Sequence, residues 1–258
     1  MFEGKSVSVV ISTYREKMSI RQCVDDFFAT GVVDEVVVVD NNSEEGTVDE
    51  IKKTKAVLIH ETNQGYGYGY QTGLKHAKSD LIVMCEGDGT FLADDILKFL
   101  IYSKEVQLVQ GSRTCSTMIL SGANMGIALK YGNYLVAKIA EFLFFSSAPH
   151  LSDCGCTYRL LSREAYEQIK PYFRENHSAF GFELSLLALR AGISMVEVPI
   201  RYQKRIGKSS VTGSMYKTFT LGSYMFFLCF YHLFQNLFTY NISKHVDKQV
   251  NKQVAYEK

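Results

Sequence analysis

The chain has 258 residues, of which 47% are hydrophobic and 21% charged, and its net charge is +1. This is the balance of a folded globular chain and excludes a largely disordered one. The near-neutral charge, with basic residues scattered along the chain, excludes a nucleic-acid-binding field.

Ser6–Ser12 (SVSVVIS) is a β-branched apolar run and predicts a buried strand. Helical spacing of Ile20, Val24, Phe27 and Phe28 follows, closed by Gly31. Glu35–Asp40 (EVVVVD) predicts a second buried strand, Asn41–Ser43 a turn, Val48–Lys53 a short helix and Val57–His60 a third strand. Gly65–Ala77 predicts a helix in spite of its glycines, which suit close packing or a kinked helix start. Its GYGYG run does not match G-x-G-x-x-G and does not follow the first strand, so a dehydrogenase is a poor fit. Leu81–Glu86 (LIVMCE) predicts a fourth strand, Asp94–Ser103 a helix and Val106–Gln110 a fifth strand. Strands alternating with helices imply a mostly parallel sheet flanked by helices, with ligands at the carboxyl ends of the strands.

After Gly111 the alternation stops. Ile127–Phe145 predicts a long helix with Lys130, Lys138 and Glu141 on its polar side. Tyr158–Ser162 predicts a strand, Glu183–Ala191 a helix, and Met195–Val198 a strand ended or placed at an edge by Pro199. A basic Gly/Ser loop, Arg201–Gly213, leads to Thr218–Ser243, which contains no Lys, Arg, Asp or Glu and is dense in aromatics. As a helix, Phe219–Phe238 would be about 30 Å long, near a bilayer core's thickness. His232, Gln235 and Asn236 interrupt it, which favours a helix lying in or partly entering one leaflet over a full span. The competing expectation is a homo-oligomer interface. The chain thus divides into a catalytic domain, 1–213, an apolar helical appendage, 214–243, and a polar tail, 244–258.

The sequence MFEGKSVSVVIS has no basic stretch followed by an apolar run and a cleavage site, so a secretory leader is not expected. The six cysteines are read as reduced thiols. Cys154-Gly-Cys156 lacks the second pair that a four-ligand zinc site needs.

Acidic and polar residues gather just past the predicted strands: Thr13, Tyr14 and Glu16; Asp40; Glu86 and Asp88. Two carboxylates two residues apart can approach one hard cation, and Gly87 and Gly89 let a ligand come close to the backbone. An acidic turn is the plainer reading of Glu86-Gly-Asp88. Asp40 suits a base or ribose hydrogen bond, or an Asx turn through Asn41-Asn42-Ser43. Arg201, Lys204, Arg205 and Lys208 suit a loop that clamps phosphates, or a solvated surface loop.

These residues reach a known family. VISTYRE, VVDNNSEEGT, Asn63-Gln64-Gly65, EGDGTF, GSR at Gly111–Arg113, KYGN at Lys130–Asn133, DCGCTYRLLSRE at Asp153–Glu164 and EVPIRYQKRIGKSS occur in the family's order across about residues 6–213. The chain resembles family-two glycosyltransferases of the GT-A fold, in the dolichol-phosphate-mannose synthase-like branch. The resemblance implies a UDP- or GDP-linked sugar donor, Mg²⁺ or Mn²⁺, a polyprenyl phosphate acceptor and work at the cytoplasmic face of a membrane. It implies that Tyr14, Glu16 and Asp40 bind base and ribose, and that Glu86 and Asp88 hold metal and diphosphate. It further implies that Arg113 and Lys130 face the acceptor phosphate and that Arg205 and Ser209 close on the donor. Glu86 stands where the family has Asp, and Lys130 where it has Arg, which keeps the charge but loses the bidentate fork. With an ionised phosphate acceptor no strong base is needed, and in-line attack inverts the anomeric centre. With a sugar hydroxyl as acceptor a base is required, and Asp153 is the candidate.

Overall fold

The structure is a computed structural model that describes residues 1–123, 126–144, 149–207 and 215–239. In chain order come β1 (Val7–Thr13), α1 (Ile20–Ala29), β2 (Glu35–Asp40), α2 (Thr47–Ile51), β3 (Val57–His60), α3 (Tyr66–His76) and β4 (Leu81–Glu86). A 3₁₀ turn at Ala93–Asp95 leads into α4 (Ile96–Tyr102), followed by β5 (Leu108–Ser112) and α5 (Ile127–Leu143). Then come β6 (Arg159–Ser162), α6 (Arg163–Ile169), α7 (Phe180–Ala191), β7 (Met195–Pro199) and α8 (Met215–Phe234), which continues as a π-turn at Gln235–Thr239.

The described strands form one sheet of seven in the order β3-β2-β1-β4-β6-β5-β7. All pairings are parallel except those of β6, which runs antiparallel between β4 and β5. Apolar residues alternate between two cores. Val7, Val9, Ile11, Leu81 and Val83 face α1 and α4, and Val10, Ile82 and Met84 face α3, α5, α6 and α7. Burial on both faces is why these strands read as continuous apolar runs. Pro199 sits at the end of β7, the edge strand, where a missing N–H costs no ladder bond.

The glycines of α3 allow close packing. A Cβ on Gly73 would stand 2.3 Å from Val10 Cγ1, and one on Gly69 would stand 2.0 Å from Ser12 Oγ, so the helix lies directly on β1. α6 had no predicted counterpart. Ser162 caps it by accepting from the Ala165 amide at 3.1 Å, and Glu164 lies in its first turn.

α8 packs along α5 and against α7. Met225, Leu228, Cys229 and His232 form its buried stripe, and Phe219, Phe227, Phe230 and Phe234 are exposed. Ile127, Tyr131, Leu135 and Phe142 of α5 are exposed as well. No helix of the described residues is long and apolar enough to cross a membrane. At the α7–α8 contact Arg190 Nη1 donates to His232 Nδ1 at 3.1 Å, which leaves the ring proton on Nε2, 3.8 Å from Glu183 Oε1. Burial, and then Arg190, pull the His232 pKa down to about 3. Burial pushes Glu183 up to about 7.

A histidine held neutral in the fold but free to protonate when unfolded lowers stability as pH falls from its ordinary value of 6.5 toward 3. Replacing it by a side chain that does not titrate removes that loss. The melting temperature of His232→Gln, relative to the parent chain, should therefore rise steadily between pH 6.5 and pH 4. A pH-independent offset in calorimetry would contradict the neutral, buried imidazole.

Candidate active site

The chain reverses its direction of sheet growth between β1 and β4, and a crevice opens at their carboxyl ends. A cavity of about 520 Å³ lies there. Thr13, Tyr14 and Glu16 line it after β1, Asn41 after β2, and Glu86 and Gly87 after β4. Arg113 enters after β5, Gly155–Thr157 from the segment before β6, and Arg205 from the loop after β7. Leu129 and Asn133 of α5, Phe182 of α7, and Leu221 and Met225 of α8 close the other side.

The acidic end is held by short hydrogen bonds. Asp88 is fully buried, and its Oδ1 accepts from the Thr90 amide at 2.9 Å and the Thr90 hydroxyl at 2.6 Å. Glu86 Oε1 accepts from Thr157 Oγ1 at 2.6 Å, and Thr157 in turn shares a 2.7 Å hydrogen bond with Tyr66 Oη. Burial, and then the neighbouring Asp88 carboxylate, push the Glu86 pKa up to about 8, against the lowering pull of Arg205 and Thr157.

Arg205 is the cation of this cluster. Its Nη2 lies 3.0 Å from Asp88 Oδ2, 3.3 Å from Glu16 Oε1 and 3.9 Å from Glu86 Oε2. The sequence suggests a flexible clamp here, but the loop is tied down as far as Gly207. Ile206 N donates to Asp88 O and Gln203 N to Thr90 O, both at 2.9 Å. Arg201 adds bonds from its N and Nε to Asp95 at 2.6 and 2.9 Å.

The residues fit a divalent cation only in part by themselves. Asp88 Oδ2 is buried and has no hydrogen bond; the Arg205 contact supplies charge without donor alignment. Among the described residues no three His, Cys, Asp or Glu side chains gather into a cage. One or two carboxylates completed by substrate phosphate oxygens is the arrangement a magnesium-like ion accepts.

Glu16 Oε2 accepts from the amides of Tyr14 at 2.6 Å and Arg15 at 2.7 Å, so the side chain also shapes the loop after β1. Asp40 does not line the cavity. It accepts from the Ser43 amide at 2.9 Å and from the Ser43 hydroxyl, and meets His60 Nδ1 at 2.9 Å, which is the Asx-turn alternative. Asn41 takes the cavity wall instead, and its side chain bridges Asn63 O at 2.7 Å and Gly65 N at 2.8 Å.

Arg113 lines the cavity and lies over the Tyr202 ring, 5.3 Å from its centroid. Its Nε and Nη2 donate to Asp153 at 2.8 and 2.9 Å. Asp153 also accepts from the Arg113 amide at 2.9 Å and the Gly155 amide at 3.1 Å. Burial alone would raise the Asp153 pKa, but Arg113 holds it below the ordinary carboxylate range. Asp153 is outside the cavity lining and fully engaged, so the general-base expectation is not supported; it positions Arg113. Lys130 is not brought together with Arg113. It lines a separate cavity of about 230 Å³ with Thr114, Tyr131 and Tyr134, and its Nζ donates to Ser116 Oγ at 3.0 Å. Ser209 lies outside the described residues.

With this geometry in place, the profile of glycosyl transferase family 2 matches residues 8–170. The chain belongs to glycosyl transferase family 2. It is similar to the low-salt glycan biosynthesis hexosyltransferase Agl6 of Haloferax volcanii, with 28% identity over 216 residues, 80% of this chain and 50% of that protein. The chain thus spans about half the length of that relative. It is also similar to a dolichyl-phosphate hexose transferase of the same organism, 28% identical over 208 residues, 80% of this chain and 86% of that protein. Among solved structures, glucosyl-3-phosphoglycerate synthase from Mycobacterium tuberculosis in complex with Mn²⁺, uridine-diphosphate and glucosyl-3-phosphoglycerate matches with a TM-score of 0.66. The match has 16% identity and covers 89% of this chain and 80% of that one. The shared fold is GT-A.

Family membership makes the carboxylate pair testable by its chemistry. Asp88→Asn keeps an oxygen for Thr90 but removes the charge. Glycosyl transfer, followed as nucleotide release, should fall by about a hundredfold or more, the usual effect of losing a key electrostatic stabiliser. The melting temperature should stay near that of the parent chain. Near-parental turnover would remove Asp88 from the machinery.

Proposed function

We propose that this chain transfers a hexosyl group from a UDP- or GDP-linked donor to the phosphate of a polyprenyl phosphate, with inversion at the anomeric carbon. The observation that carries this reading is the polarity of the cavity at the carboxyl ends of the strands. The carboxylates of Glu16 and Glu86 line it, with Asp88 buried behind them against Arg205, and Leu129, Phe182, Leu221 and Met225 supply an apolar wall. Two of the helices that supply this wall, α5 and α8, also present the exposed aromatic and aliphatic face. An amphipathic acceptor, an anionic head on a hydrocarbon chain, matches that gradient. The name of the Haloferax dolichyl-phosphate hexose transferase points to the same acceptor class.

Glu86 and Asp88 are the residues that would hold Mg²⁺ or Mn²⁺, which when bound neutralises charge building on the departing nucleotide diphosphate. Thr13, Tyr14, Glu16 and Gly87 form the donor side of the cavity. Thr157 and Tyr66 keep Glu86 turned toward the donor. Arg205 pairs with the carboxylates and is placed to pair with the donor's diphosphate. A lipid phosphate is already ionised, so no residue has to remove a proton from it, consistent with the engagement of Asp153 by Arg113. The exposed apolar face of α5 and α8 would rest in the interfacial zone of the cytoplasmic leaflet, where aromatic side chains are favoured.

The test is a panel of labelled nucleotide sugars offered with Mg²⁺ and a polyprenyl phosphate, followed by phase separation. Label in the organic phase, matched by nucleotide diphosphate release, is expected. Label remaining in water on a saccharide would contradict a lipid phosphate acceptor and favour saccharide extension.

A further inference from the structure

Arg159 is the largest side chain fully buried among the described residues. Its Nη2 donates to the Cys154 carbonyl at 3.2 Å. Its Nε and Nη1 have no hydrogen-bond partner, and no carboxylate pairs with it among the described residues. A guanidinium keeps its charge at any working pH, and a buried charge without a counter-ion is costly to the fold. A side chain so placed needs a reason other than stability.

Its position supplies one. Arg159 opens β6, opposite Met84 and Gln110, and because β6 is antiparallel its first residue reaches the sheet edge where β4 and β5 end. There it lines the large cavity. Its guanidinium lies against Gly181, where a Cβ would stand 2.8 Å from Nη1 and 3.4 Å from Tyr66 Oη. Gly181 is the second residue of α7, a helix of 12 residues. The amides of Gly181 and Phe182 have no backbone acceptor among the described residues, and both residues line the same cavity. An uncompensated guanidinium and the positive end of a helix therefore converge on one spot. Tyr66, through Thr157, ties that spot to Glu86.

The other cations of the site are already compensated or elsewhere. Arg113 is neutralised by Asp153, Arg205 faces three carboxylates, and Lys130 lines a different cavity. We propose that Arg159 and the amino end of α7 form an anion subsite that receives the acceptor's phosphate, separate from the Glu86–Asp88 pair. This deepens the proposed function and rests on its acceptor class. Phe182, the residue after Gly181, and Leu221 and Met225 line the same cavity and would start the hydrocarbon path. Arg159 supplies charge to orient the phosphate oxygen for attack, and Gly181 keeps the guanidinium in place.

The test is calorimetric titration of the full chain with farnesyl phosphate, farnesol and inorganic phosphate, in parallel with a thermal melt. Arg159→Gln should weaken farnesyl phosphate at least tenfold, leave farnesol unchanged and leave binding of UDP with Mn²⁺ within about twofold. Its melting temperature should not fall, because an unpaired buried charge has been removed. Gly181→Ala, which keeps the charge but crowds Nη1, should weaken farnesyl phosphate in the same direction. Equal affinity of parent and Arg159→Gln for farnesyl phosphate would overturn the subsite. So would a variant that loses farnesol equally and melts earlier, since that marks a packing role. If the parent ignores farnesyl phosphate yet binds inorganic phosphate in an Arg159-dependent way, the anion subsite stands and the lipid acceptor falls.

Discussion

Two carboxylates and a third close by, buried or half-buried at the carboxyl ends of β1 and β4, need a positive charge, and the rest of the site is arranged around that need. At 3–4 Å an ion pair is worth about 4 kcal/mol at an effective dielectric near 20. Arg205 meets the need in this structure by reaching Asp88, Glu86 and Glu16 with one guanidinium nitrogen. Burial and Asp88 push the Glu86 pKa up, against the lowering pull of Arg205 and Thr157. Asp88 Oδ2 remains without a hydrogen bond.

The backbone explains why the cluster is so well placed. β4 delivers Glu86 at its last residue, and Gly89, at φ +75°, turns the chain so that Asp88 and Thr90 close on each other. The loop after β7 is laced to this turn by main-chain bonds from Gln203 and Ile206, which set Arg205 over the acids. On the other side, the antiparallel β6 and the start of α7 bring positive charge to the same cavity.

Much of this was legible in the sequence. β1, β2 and β4 are apolar runs of strand length, and their ends carry Thr13, Asp40 and Glu86, so the doubly wound rule pointed to the right edge of the sheet. Local pattern also placed Pro199 at the sheet edge and the α3 glycines in close contact. Two of the gaps are long-range. Nothing near Arg159 in sequence says that β6 runs antiparallel and inserts between β4 and β5. The pairing of Arg113 with Asp153 spans forty residues, and only the fold reveals that Asp153 is engaged. At the end of β2 Asn41 lines the cavity while Asp40 makes the Asx turn, because a turn rotates successive side chains by an amount that spacing does not encode. The seven residues of α6 carry too little periodicity to predict a helix, although Ser162 and Glu164 mark its start.

The most direct measurement is a Mn²⁺ titration followed by paramagnetic resonance, with and without UDP or GDP. If Arg205 holds the acids until a diphosphate arrives, free Mn²⁺ should persist with the chain alone and disappear when the right nucleotide is added, and Asp88→Asn should abolish that uptake. Tight Mn²⁺ binding by the chain without nucleotide, or no uptake with either nucleotide, would contradict the account.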